Sequence, residues 1–143
     1  MGAPTDLSRQ VLQVAGERIP VVVLRVGNPQ CVVFGPATED RLRALGPLLA
    51  THPYFPEGTN VEFADVESPN RVRILIWERG VGPTRASGTG ACAAAVAAAA
   101  FGGAGRDVDV TATGGTQRVH WAADTIHLTG WAELVADIEW WVD

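Results

Sequence analysis

The residues best suited to chemistry lie together between Glu78 and Phe101, in the sequence ERGVGPTRASGTGACAAAVAAAAF. The charged pair Glu78-Arg79 precedes a turn rich in glycine and proline, and the run Ser87-Gly88-Thr89-Gly90 then leads directly into the alanine-rich segment Ala91–Ala100. A loop of this composition at the start of a helix leaves backbone N–H groups unpaired, and these groups attract anions. The stretch therefore predicts a binding site for a carboxylate or a phosphate.

The composition excludes several classes of protein. A chain of 143 residues with 47% hydrophobic and 19% charged residues is typical of one folded globular domain. Its net charge of −5 argues against a nucleic-acid-binding surface. All 11 basic residues are arginine. The chain therefore supplies neither the lysine that binds pyridoxal phosphate nor the lysine of a P-loop.

Cysteine and histidine are too dispersed to indicate a metal or redox centre. Cys31 and Cys92 each lie in an apolar run and form no CxxC motif, so we expect two buried, reduced thiols. The three histidines have no metal-ligand spacing. The N-terminus has no signal pattern, and Ala91–Phe101 is too short to span a bilayer. We therefore expect a cytoplasmic protein that binds no metal, cofactor, nucleic acid or membrane.

Extended segments surround the chemically interesting stretch. Periodicity predicts them at Val11–Val14, Ile19–Val26, Cys31–Phe34, Asn60–Val66, Arg71–Trp77, Asp107–Thr113, Thr116–Trp121, Thr125–Thr129 and Trp131–Val142. Within Asn60–Val66 the alternation assigns Glu62 and Asp65 to the polar side of a half-buried strand. A first helix is expected to begin after the N-cap Thr38 and to continue past a kink at Gly46-Pro47 to about Thr51.

The segment Ala91–Ala100 predicts the fold. It has no charged residue and no amphipathic stripe, so we expect a helix that is buried on all sides. Small side chains allow strands to approach closely. We therefore predict one α+β domain over residues 1–143, with mostly antiparallel strands curled as a barrel around this central helix and one additional helix. The alternative is a surface helix that uses alanine for helix propensity alone.

Several motifs occur in a fixed order along the chain. They are Gly27-Asn28-Pro29-Gln30-Cys31, Phe55-Pro56-Glu57-Gly58-Thr59-Asn60-Val61, Glu78-Arg79-Gly80-Val81-Gly82-Pro83-Thr84, Arg85-Ala86-Ser87-Gly88-Thr89-Gly90-Ala91-Cys92-Ala93, Gly114-Gly115 and Leu128-Thr129-Gly130. From Gly27 to about Val135 the chain resembles the C-terminal half of the diaminopimelate epimerases, which are cofactor-independent amino-acid isomerases of lysine biosynthesis. The resemblance implies two pseudo-symmetric halves, each a barrel around a helix, with the active site between them. Residues 1–10 resemble the connection between the halves, which implies a missing N-terminal half.

The resemblance also implies a mechanism and a set of site residues. Helix starts hold the α-carboxylate of an amino acid and stabilise the charge that develops when the α-proton leaves. Two thiols, one from each half, abstract and deliver the proton on opposite faces of the α-carbon. The catalytic position in this half falls on Ser87, next to Glu78. The residues implied to bind the substrate are Asn28, Asn60, Glu78, Arg79, Gly88 and Thr89.

Considered without the resemblance, these residues have simpler interpretations. Asn28 before Pro29 is typical of a turn, and Asn60 is typical of a residue that caps a strand. Glu78 and Arg79 are equally consistent with a solvated pair of charges.

Two positions depart from the family pattern. Ser87 stands where the family has its catalytic cysteine, and a hydroxyl is a far weaker acid than a thiol, whose pKa is about 8.5. Gln30 stands where the family motif has histidine, and an amide cannot transfer a proton in the physiological range. Because both acid/base positions are changed, natural divergence is favoured over a single inactivating substitution. Glu78 is then the candidate general base.

Three functions are compatible with these features. The first is an isomerase of the diaminopimelate epimerase type that acts on an amino acid. The second is an isomerase of the wider superfamily with another substrate, and the third is an amino-acid- or carboxylate-binding domain that has lost proton transfer. Either isomerase requires the missing N-terminal half or a homodimer, although two copies would bring together two Ser87 hydroxyls and no thiol pair.

Overall fold

The chain forms one mixed nine-stranded sheet with two helices. The computed structural model describes residues 1–143. The strands are β1 Thr5–Val14, β2 Glu17–Val26, β3 Asn28–Phe34, β4 Asn60–Ser68, β5 Arg71–Glu78, β6 Gly82–Thr84, β7 Asp107–Ala112, β8 Gly115–Trp121 and β9 Ile126–Thr129. The helices are α1 Glu39–Ala50 and α2 Gly88–Phe101. The predicted α+β class is confirmed.

The sheet is open. Its strand order is β1-β2-β3-β4-β5-β7-β8-β9, with β6 paired to the end of β5. The pairs β3–β4 and β5–β7 are parallel and the others are antiparallel. The predicted closed barrel is not confirmed, because β1 and β9 are edge strands that do not pair. The chain start, rather than β1, approaches β9, where the Ile126 N–H donates to the Gly2 carbonyl at 3.0 Å.

Strand alternation divides the interior into two cores. Val22 and Val32 face α2, whereas the adjacent residues Val23 and Val33 face α1. The two helices therefore cover opposite faces of the sheet. On its face, α2 contacts β2 to β5 and β7 to β9. The α2 residues from Gly90 to Ala98 are all buried, which confirms the prediction of a helix enclosed on every side.

Helix α1 follows the sequence-based prediction closely. The Thr38 hydroxyl caps it by accepting a hydrogen bond from the Arg41 N–H at 3.3 Å. Pro47 lies inside the helix, which continues to Ala50. Neither α1 nor α2 combines the length and the apolar character that a membrane-spanning helix needs.

The C-terminal segment differs from the prediction. Residues 130–143 have no regular secondary structure and pair with no strand, so the extended segment predicted at Trp131–Val142 does not become part of the sheet. Its large apolar side chains are exposed, from 60% at Trp131 to 91% at Val135. The short strand β6 was not predicted, because its Gly-Pro sequence is typical of a turn.

Candidate functional site

Polar side chains from three neighbouring strands meet at the N-terminal end of α2. The parallel strands β3 and β4 begin at Asn28 and Asn60, and β5, which is antiparallel to β4, ends at Glu78. The starts of β3 and β4 and the end of β5 therefore lie next to one another, at the same end of the three strands. Because alternate residues share a face, Gln30 and Glu62 lie on the same face as Asn28 and Asn60, which is the face covered by α2.

Ser87 is the N-cap of α2. Its backbone is extended, with φ −153° and ψ 123°, and its Oγ accepts a hydrogen bond from the Gly90 N–H at 3.0 Å. The same Oγ lies 3.5 Å from Thr89 Oγ1. Gly88 and Thr89 are the first residues of the helix, so no carbonyl within α2 can pair with their N–H groups. These N–H groups lie at the positive end of the helix dipole, where the sequence predicts an anion site.

The close approach of Glu62 requires glycine at position 90. A Cβ atom at Gly90 would lie 2.8 Å from Glu62 Oε1 and 3.1 Å from Ser87 Oγ. A methyl group at this point would collide with the buried carboxyl group on one side and the helix cap on the other. The first turn of α2 therefore rests directly on the Glu62 side chain.

Asn60 connects β4 to the turn that follows β5. Its Oδ1 accepts a hydrogen bond from the Arg79 backbone N–H at 2.8 Å, and the residue is buried. The Arg79 guanidinium donates to the Glu57 carbonyl at 2.9 Å and forms no salt bridge with Glu78. Glu78 and Arg79 are consecutive and point to opposite sides of the chain, so that Glu78 lies on the face of α2 while the Arg79 side chain lies against Gly58.

The predicted catalytic residues are near the same helix start but are not joined. Glu78 is half-buried at the end of β5, and Ser87 is half-buried in front of α2. No hydrogen bond links the two side chains; the Ser87 hydroxyl instead accepts from the Gly90 N–H and contacts Thr89 Oγ1. As folded, this chain places no base against the Ser87 hydroxyl.

The buried acid of the site is Glu62, which the sequence analysis did not select. Glu62 and Gln30 are both 0% exposed. Burial raises the pKa of Glu62 well above its usual range, and the negative charge of Glu78 raises it further. The assignment of Glu62 to a solvated side of β4 was wrong, because α2 covers that face. Glu62 lies between the apolar residues Val61 and Phe63, and Ala64 follows. This nearly continuous apolar run was the available signal for a strand buried on both faces.

The two cysteines lie outside the catalytic position. Both are buried and unpaired, as predicted. Burial, reinforced by Glu62, raises the pKa of the Cys31 thiol far above its usual value. Burial also raises the pKa of Cys92 to about 11. Both thiols are therefore neutral at physiological pH.

Comparison with solved structures identifies proteins that share this fold. A crystal structure described as a phenazine biosynthesis protein of the PhzF family, from Enterococcus faecalis, superposes with a TM-score of 0.54 at 13% identity. The superposition covers 86% of this chain and 42% of that protein. The similarity shows that the two proteins share a fold in which a sheet covers a buried helix.

Sequence comparison gives the family. Residues 22–135 match the diaminopimelate epimerase family. A diaminopimelate epimerase from Desulforudis audaxviator is 49% identical over 130 residues, covering 88% of this chain and 47% of the relative. One from Desulfovibrio desulfuricans is 42% identical over 134 residues, covering 92% and 47%. The chain belongs to the diaminopimelate epimerase family. It spans about half the length of the curated relatives it matches.

Proposed function

We propose that this chain is one half of an amino-acid epimerase of the diaminopimelate epimerase type, and that it binds the α-carboxylate of its substrate at the start of α2. The observation that carries the proposal is the convergence of the free Gly88 and Thr89 N–H groups with the polar ends of β3, β4 and β5. A helix start is a ready-made carboxylate site. Membership of the family supplies the choice of an amino-acid substrate.

The proposed chemistry is proton exchange at the α-carbon without a cofactor. An α-proton beside a carboxylate is weakly acidic, so its removal requires stabilisation of the negative charge that develops. The positive end of α2 provides that stabilisation through the bound carboxylate. In this scheme Asn28 and Asn60 bind the distal amino-acid group of diaminopimelate, and Arg79 borders the site. A cytoplasmic location is part of the same proposal and rests on the sequence pattern alone.

Glu78 is the proposed general base of this half, with Ser87 at the position of the family thiol. The location of Glu78 at the end of β5 supports this role, because its side chain shares a face with the start of α2. The second acid/base group must come from outside this chain. A separate N-terminal half or a second copy would supply it, and the half-length match to the relatives supports the first of these.

A second candidate function is a carboxylate-binding domain without proton transfer. The Ser87 hydroxyl supports it, because that hydroxyl already accepts the Gly90 N–H and has no base in contact. Gln30, which cannot exchange a proton in the physiological range, supports it further. An isomerase of the wider superfamily with another substrate is compatible with the same two residues.

Proton exchange distinguishes these functions. The chain is incubated with LL- or meso-diaminopimelate in D2O, alone and over a range of concentrations, and α-deuterium incorporation is followed by mass spectrometry. We expect slow exchange that Glu78→Gln reduces by at least about a hundredfold. Glu67→Gln is the matched control, because Glu67 is an exposed carboxylate 3.9 Å from Arg73 and lies away from α2. Thermal stabilisation by the ligand without exchange identifies a carboxylate-binding domain. The absence of both exchange and stabilisation contradicts both functions.

A further inference from the structure

Three polar side chains form a chain of contacts from the interior to the candidate site. The Gln30 amide lies between Glu62 and Asn28, with 2.8 Å contacts on each side. Gln30 and Glu62 are fully buried, and Asn28 is half-buried at the start of β3. The proposed mechanism uses Asn28 but has no role for the two buried members.

The orientation of the Gln30 amide depends on whether the Glu62 carboxyl group is protonated. In one orientation Gln30 Nε2 donates to Asn28 Oδ1 at 2.8 Å, so that Gln30 Oε1 faces Glu62 Oε1 at 2.8 Å. Two oxygen atoms at this distance require a hydrogen between them, which a protonated Glu62 supplies. In the reversed orientation Gln30 Nε2 donates to Glu62 Oε1 at 2.8 Å and Oε2 at 3.3 Å, which suits an ionised Glu62.

The two orientations leave different groups available at the site. With Glu62 protonated, Asn28 Oδ1 is occupied by Gln30 and the Asn28 NH2 group is left as a donor. The Thr89 hydroxyl, which lies 3.5 Å from Ser87 Oγ, is then not required as a donor to Gln30. With Glu62 ionised, Gln30 Oε1 instead accepts from Thr89 Oγ1 at 3.3 Å and faces Asn28 Oδ1 at 2.8 Å, so the Asn28 amide must also reverse to present its NH2 group to Gln30. Ionisation of Glu62 therefore withdraws two donors from the region in front of α2.

We propose that Glu62 is a positioning residue held as a neutral carboxylic acid, and that through Gln30 it keeps Asn28 and Thr89 as hydrogen-bond donors toward a bound carboxylate. The inference rests on the proposed function in one respect, the choice of a carboxylate ligand. The protonation state of Glu62 thus determines whether the site favours an anion.

The surroundings of Glu62 favour the neutral form. Glu62 takes part in none of the salt bridges of the chain. The titratable groups that interact with it are Cys31, a neutral buried thiol on the opposite face of the neighbouring strand β3, and Glu78 at the end of β5, a second acid. The helix α2 contributes no charged side chain, and its only titratable residue is the neutral thiol Cys92. No cationic side chain is therefore present to stabilise an ionised Glu62.

The protonation of Glu62 can be measured directly. Infrared spectroscopy across a pH titration resolves the carbonyl band of a protonated carboxylic acid from the bands of carboxylates. We expect a protonated-acid band at pH 7 in the wild type and in Glu67→Gln, and its loss in Glu62→Gln. Titration of Glu62 together with the exposed carboxylates, near pH 4, would overturn the proposal.

Ligand binding tests the consequence. Glu62→Gln is a suitable variant because its NH2 group can replace the acid proton toward Gln30 Oε1. For meso-diaminopimelate in calorimetry, we expect wild-type affinity to fall about tenfold or more as pH rises through the titration of Glu62. We expect Glu62→Gln to bind within about twofold of the wild type at pH 6 and to lose this part of the pH dependence. An unchanged pH profile in Glu62→Gln contradicts the role of Glu62.

The two proposals fail separately. Acetate binding, followed by the amide chemical shifts of Gly88 and Thr89, serves as a second probe. If acetate binds with a pH dependence that Glu62→Gln removes, while diaminopimelate does not bind, the substrate assignment fails and the role of Glu62 stands. If diaminopimelate binds with the same pH profile in both proteins, the role of Glu62 fails and the proposed function stands. If neither ligand binds, both are overturned.

Discussion

At the scale of single residues, the candidate site combines the hydrogen-bonded hydroxyl of Ser87 with the buried carboxyl group of Glu62. Ser87, which the resemblance implies is at the position of the family thiol, caps α2 through its Oγ. Glu62 lies directly beneath that cap, against Gly90 and the Gln30 amide. The groups that hold the start of α2 are thus the same groups that define the site. Substitutions at these positions are expected to change stability and binding together.

The raised pKa of Glu62 predicts a stability change with pH. Unfolding exposes Glu62, whose pKa then returns to about 4.3. Above that pH the unfolded chain releases a proton that the folded chain retains, so the free energy of unfolding falls as pH rises toward the folded-state pKa. Glu62→Gln removes this decrease. We expect the stability of the variant relative to the wild type to increase above pH 4.5, by up to about 1.4 kcal/mol per pH unit.

Urea denaturation between pH 4 and pH 8 measures this effect. The control is Glu67→Gln, whose stability curve should follow that of the wild type because the exposed Glu67 carboxylate makes only a weak surface pair. Parallel curves for Glu62→Gln and the wild type would show that Glu62 ionises in the folded protein, which contradicts a neutral, buried Glu62.

At the scale of elements, α2 is the helix around which the sheet is arranged. Ala94 is fully buried, whereas Ala100 at the other end is exposed. The strands approach so closely that a larger side chain at a buried position has no space. We expect Ala94→Leu to lower the free energy of unfolding by about 1–3 kcal/mol, measured by urea denaturation.

Ala100→Leu provides the matched comparison for that substitution. It adds the same side chain to the same helix at an exposed position, so its effect should stay within about 0.5 kcal/mol. Equal losses in the two variants would indicate that helix α2 is not enclosed by the sheet.

How far the sequence predicts these elements depends on the range of the interactions. The cap at Thr38 is a local feature, set by residues within one turn, and is confirmed. The sequence predicts a helix after the run Ser87-Gly88-Thr89-Gly90, and the structure begins it within that run, at Gly88, with Ser87 as the N-cap. The burial of Glu62 depends on α2, which lies far along the chain and covers a strand face that alternation alone assigns to solvent. The open edges of the sheet likewise depend on whether β1 and β9 meet, which periodicity does not encode.

At the scale of the whole molecule, the C-terminal segment has an unusual surface. Leu134, Val135, Ile138, Trp140 and Trp141 are between 83% and 91% exposed. An apolar surface of this kind marks a contact region. It is consistent with the proposal that a second half or a second copy completes the site.

Deletion of residues 132–143 tests this interpretation. We expect the undeleted chain to self-associate with increasing concentration in sedimentation experiments, and the shortened chain to remain a monomer. The free energy of unfolding of the shortened monomer should change by less than about 0.5 kcal/mol, because none of the deleted residues is itself buried. An undeleted chain that stays monomeric at every concentration would argue against a homodimer and in favour of a separate N-terminal half.

The central claim, that the start of α2 binds an amino-acid carboxylate, is tested most directly by NMR. The amide signals of Gly88 and Thr89 are followed during titration with meso-diaminopimelate, and separately with 1,5-diaminopentane, which has the same amino groups without carboxylates. We expect both amides to shift with diaminopimelate and to remain unchanged with the diamine. Shifts of equal size with both ligands, or no shift with diaminopimelate, would contradict the claim.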